Sequence, residues 1–135
     1  MGYYEDGLEW QDTAKVLEIG KKYRGSVYMS CLSVECFLKS RVEPIDPIND
    51  DLEGHNSVNL YKFLKKRYPN GKNLMSDIRL CRKYHNESRY SNLEEADIYN
   101  KDFANRFIKI VADVKEYIDN ECVATIEDLE NKYKK

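Results

Sequence analysis

Phe103-Ala104-Asn105-Arg106-Phe107-Ile108-Lys109-Ile110-Val111-Ala112-Asp113-Val114-Lys115-Glu116-Tyr117-Ile118 decides the class of this chain. Within it Phe103, Phe107, Ile110, Val114 and Ile118 stand at intervals of four, three, four and four. That is the recurrence of one helical face, not the alternation of a strand. The spacing predicts a helix from Asp102 to Glu121.

The same period extends outward. Leu74, Ile78 and Cys81 predict a helix from Leu74 to about Glu87. Ser57 opens another through Leu60, Phe63 and Leu64, stopped by the turn residues Pro69-Asn70-Gly71. Val27, Cys31, Val34 and Leu38 give a strong apolar stripe over Ser26 to about Val42, ended by Pro44 and Pro47. Leu8 to Tyr23 carries Trp10, Ala14, Val16 and Leu17, with Gly25 read as the interruption before the next helix. Glu43–Asn56 and Ser91–Lys101 read as polar loops. Thr125-Ile126-Glu127-Asp128 has the pattern of a capping box opening a short C-terminal helix over 122–135. No segment alternates long enough for a strand, and no repeat is visible. The expectation is an all-α antiparallel bundle of about five helices plus a short sixth, in one domain over 1–135.

Composition agrees. The 135 residues are 41% hydrophobic and 34% charged, with 6 Gly and 3 Pro, which excludes collagen-like and most disordered classes. No apolar run reaches the roughly 18 residues of a membrane span. Met1–Asp6 is acidic and aromatic, unlike a secretory signal, so a cytoplasmic location is expected. Cys31, Cys36, Cys81 and Cys122 form no C-x-x-C pair, and only His55 and His85 are present. Reduced, packed thiols are expected, with no metal and no cofactor. Phosphate-loop, dinucleotide-binding, serine-hydrolase and zinc-protease motifs are absent.

The net charge of −2 hides an asymmetry. Residues 57–90 hold nine Lys and Arg against Asp77 and Glu87, a balance of +7; the remainder carries −9. A basic middle in an acidic chain fits two readings: a surface facing an anion, namely nucleotide, RNA or an acidic protein, or acidic and basic helices that neutralise each other across the fold. On the fourth predicted helix Arg79 and Arg82 lie within roughly 60° of each other. If that helix runs on, Arg89 falls within about 20° of Arg82 and His85 within about 40° of Arg89. Guanidinium forks suit phosphate oxygens, and an imidazole can hold or move a proton. Glu35 and Lys39, at i and i+4, read first as a structural helix pair.

Three segments, in order, resemble the HEPN superfamily, the helical domain that often partners minimal nucleotidyltransferases. They are Ser33-Val34-Glu35-Cys36-Phe37-Leu38-Lys39-Ser40, then His55-Asn56 before the third helix, then Tyr84-His85-Asn86-Glu87-Ser88-Arg89-Tyr90-Ser91-Asn92. The resemblance spans about Trp10 to Ile118 and is of the nucleotidyltransferase-associated type with an Arg-Tyr-Pro segment, although Ser91 stands where that family type has Pro. It implies a homodimer. It also implies either of two functions. The first is a non-catalytic module binding a nucleotide, RNA or a partner protein such as a nucleotidyltransferase. Its ligand residues would be Arg82, Arg89, Tyr90, Lys39, Glu35 and His55. The second is a metal-independent endoribonuclease of toxin or defence type. There Arg79 and His85 would form the family's R-x5-H pair, with Leu80 where such motifs carry a polar residue. A stand-alone interaction factor of a phage or defence system is a third possibility. The non-catalytic module is the favoured expectation.

Overall fold

The computed structural model describes residues 2–46, 56–90 and 97–123. They form five helices: α1 (Tyr3–Ile19), α2 (Tyr23–Val42), α3 (Ser57–Arg67), α4 (Met75–Tyr90) and α5 (Lys101–Asn120). No strand occurs among the described residues. The capping-box segment, most of the 43–56 loop, and 91–96 lie outside them.

α2 is the axis of the bundle and packs against each of the other four helices. Its stripe of Val27, Cys31, Val34, Phe37 and Leu38 is wholly buried. From the other side α5 supplies Phe107, Ile110, Val111, Val114 and Ile118, also buried. The period read from the sequence is therefore the core-facing line of α5. Leu60, Tyr61 and Leu64 of α3 and Ile78 and Cys81 of α4 complete the core.

α1 and α2 form a hairpin in which side-chain hydroxyls of α2 bond backbone carbonyls of α1. The Ser26 hydroxyl donates to the Ala14 carbonyl and the Ser33 hydroxyl to the Gly7 carbonyl, each at 2.7 Å. Small residues on the facing lines let the backbones approach this closely. Val16, expected near the apolar face of α1, is instead 67% exposed.

The break between these helices also differs from the sequence reading. α1 starts at Tyr3 and stops at Ile19, while Gly25 lies inside α2. The stop is a Schellman turn. The Lys21 N–H reaches the Glu18 carbonyl and the Lys22 N–H the Leu17 carbonyl. The left-handed position of that turn is Lys21, at φ 62°, because Gly20 falls one residue too early to take it.

The α3–α4 connection is fastened to the core at two points. The Tyr61 hydroxyl accepts from the Leu74 N–H at 2.9 Å, and the Tyr117 hydroxyl donates to the Tyr68 carbonyl at 2.9 Å. Gly71, at φ 94°, supplies the left-handed residue of this connection. Asn56 and Asn100 cap α3 and α5, accepting from the N–H of Asn59 and of Phe103, each at 2.9 Å. The α3–α4 connection is thus tied to both α3 and α5.

Candidate functional site: a basic groove between α3 and α4

Along α4, Arg79, Arg82, Lys83 and Asn86 recur at i, i+3, i+4 and i+7, so they share one side of the helix. That side opens towards α3, where Val58 and Lys62 stand one turn apart. Together with Glu87 these residues line an open groove of about 620 Å³, within the size range of small-molecule sites. Four cations thus face one carboxylate.

Elsewhere in the bundle two carboxylates are each shared by two cations. Asp113 is shared by Lys72 at 3.2 Å and Lys109 at 3.1 Å. Asp119 is shared by Lys115 at 2.6 Å and Arg41 at 3.5 Å. Among the described residues, no carboxylate pairs with Lys62, Arg79 or Arg82. Both arginines are exposed. Two guanidinium forks and two ammonium groups at one groove can receive several phosphate oxygens without first breaking an internal ion pair.

α4 is unbroken from Met75 to Tyr90. Residues six apart on it are about 120° apart around the axis. Arg79 accordingly lines the α3 side, whereas the His85 ring packs against Tyr28 of α2, with ring centroids 5.5 Å apart. Within one chain the structure does not gather Arg79 and His85 into one small site.

The HEPN domain family model matches residues 2–121. The chain belongs to the HEPN family. No curated protein and no solved structure matches it. The five-helix architecture is that of an all-α HEPN bundle.

Other predicted site residues occupy different parts of this HEPN bundle. Lys39 is buried and pairs with Glu35 at 3.3 Å. Its ammonium lies 5.6 Å from the Tyr3 ring centre of α1, so this pair serves the α1–α2 packing and does not line the groove. Arg89 and Tyr90 belong to the last turn of α4, and the helix runs past the predicted end at Glu87. The register sets positions 82, 85 and 89 within roughly 60°. The side chains of Arg89 and Tyr90, and the whole of His55, lie outside the described residues.

The groove of this HEPN chain adds Lys62, Lys83 and Asn86 to the sequence candidates. The i, i+3, i+4, i+7 pattern from Arg79 to Asn86 was the available clue to the α4 members. Lys62 needs the tertiary pairing to be found.

The thiols are quiet. Burial and then the neighbouring Cys81 push the Cys31 thiol well above its usual value. Burial and then Glu35 raise Cys36 to about 11. Among the described residues, no group of three His, Cys, Asp or Glu is placed to hold a metal ion, and no helix is long and apolar enough to cross a membrane.

Proposed function

We propose that this HEPN domain is a binding module whose α3–α4 groove holds a phosphate-bearing anion, a nucleotide or RNA. The observation that carries this reading is the cluster of Lys62, Arg79, Arg82 and Lys83 in one groove, the first, second and third without a carboxylate partner among the described residues. Three further observations support it. The connection between the two helices that carry the cations is tied down by the Tyr61 and Tyr117 hydroxyls. The basic excess is concentrated in residues 57–90. The unbroken α4 separates Arg79 from His85, which favours binding over proton transfer by that pair. Arg89 extends the same side of α4 by register and is included in this reading as a further anion contact.

Association into a homodimer is part of the proposal. Val16 and Ile19 of α1, 67% and 77% exposed, are aliphatic surface that a second copy would cover.

The test is binding of a short labelled RNA in EDTA. The RNA is bound and recovered intact, and Arg82→Ala weakens binding by roughly 10- to 100-fold, the effect of one charged hydrogen-bond donor. Metal-independent cleavage that disappears in His85→Ala would establish the ribonuclease instead.

A further inference from the structure

We infer that the occupant is a single nucleic-acid strand crossing α3, with phosphates in the α3–α4 groove and a base laid on Phe63 and Met75. This inference rests on the phosphate-binding reading of that groove.

A second, mainly apolar depression adjoins the first. It is lined by Asn59, Lys62, Phe63, Lys65, Lys66 and Met75. Lys62 lines both, so the two meet at this side chain on α3. Phe63 and Met75 are half-buried and pack against the core on their inner side. That contact fixes them as a platform while part of each remains open.

The lysines around it divide by role. Lys65 Nζ donates to the carbonyls of Asn70 and Gly71 at 3.0 and 3.3 Å, and lies 5.2 Å from the centre of the Tyr117 ring. Its charge is thereby turned towards the α3–α4 connection. Lys62 and Lys66, both exposed, remain as the cationic rim.

The arrangement is thus an apolar depression beside a row of cations. A nucleic-acid strand repeats that complement in every unit: one phosphate and one stacking face. An acidic peptide satisfies the cations but brings no planar group with each charge.

Three probes and two variants test this by fluorescence anisotropy: an octanucleotide, an abasic sugar–phosphate oligomer of equal length, and inorganic tripolyphosphate as competitor. Phe63→Leu keeps an apolar side chain on the core but removes the ring, and Met75→Glu places a like charge on the platform. Both should weaken the octanucleotide about tenfold, and Phe63→Leu should leave the abasic oligomer and tripolyphosphate unchanged. Melting curves confirm that each variant is folded. Octanucleotide affinity unchanged in folded Phe63→Leu overturns the platform while leaving the groove. A poly-glutamate peptide competing as well as the octanucleotide overturns the choice of occupant. Failure of tripolyphosphate to bind the wild type overturns the groove itself.

Discussion

A Cβ placed on Gly7 would lie 2.6 Å from Cδ1 and 2.7 Å from Cε1 of Phe37. Phe37 is fully buried on the central helix, so its ring has nowhere to move. Gly7→Ala gains about 1 kcal/mol of helix propensity. It also forces an overpacked contact that costs roughly 1–3 kcal/mol. The net expectation is a loss of about 1 kcal/mol, read as a lower urea midpoint. Phe37→Leu on the same chain should recover part of the Gly7→Ala loss, because it removes the opposing ring edge.

Lys21 offers the reverse case. It holds a left-handed conformation at φ 62° in the Schellman turn. A side chain there is strained by roughly 1–2 kcal/mol relative to glycine. Lys21→Gly should therefore raise stability by up to about 1 kcal/mol, the remainder being lost to the freer unfolded chain. A melting temperature below that of the wild type would contradict this account of the turn.

Alkaline pH should loosen the bundle before it affects the groove. Burial raises Cys36 and Cys122 from 9.0 to about 11. A raised value in the fold means that the neutral thiol is favoured there. The associated stability is complete below pH 9 and is lost as pH rises towards about 11. Burial drives Tyr117 upward as well. The urea midpoint should be flat from neutrality to pH 9 and then fall. Cys36→Ala with Cys122→Ala should flatten part of that fall. An unchanged slope in the double variant would remove the thiols from the explanation.

His85→Ala should lose its ring contact with Tyr28 yet keep binding within about threefold, since the ring is not among the groove-lining residues. Anisotropy with the octanucleotide reads this directly. A loss comparable to that of Arg82→Ala would bring His85 into the site.

Much of the bundle is legible in the sequence because its burial is periodic. The lines through Ile78 and Cys81, through Val27 to Leu38, and through Phe107 to Ile118 are buried as read. α1 was harder, since its inner face is made of Gly7 and Ala14 and carries little apolar pattern. Its contacts run through Ser26 and Ser33 hydroxyls to backbone carbonyls, which no hydropathy reading finds. At the candidate site, Arg79 and Arg82 could be placed on one side of α4 by spacing alone. Their neighbour Lys62 could not, because it depends on how α3 docks. Nor could the destination of Lys39, a surface-type residue that is buried over Tyr3.

The most direct test of the central claim is a backbone amide titration of the wild-type protein with inorganic tripolyphosphate, followed by nuclear magnetic resonance. The account predicts saturable shifts clustered at Val58 to Lys62 on α3 and Arg79 to Glu87 on α4, weakened in Arg79→Ala and Arg82→Ala. Shifts centred elsewhere, or saturation untouched by either substitution, would contradict it.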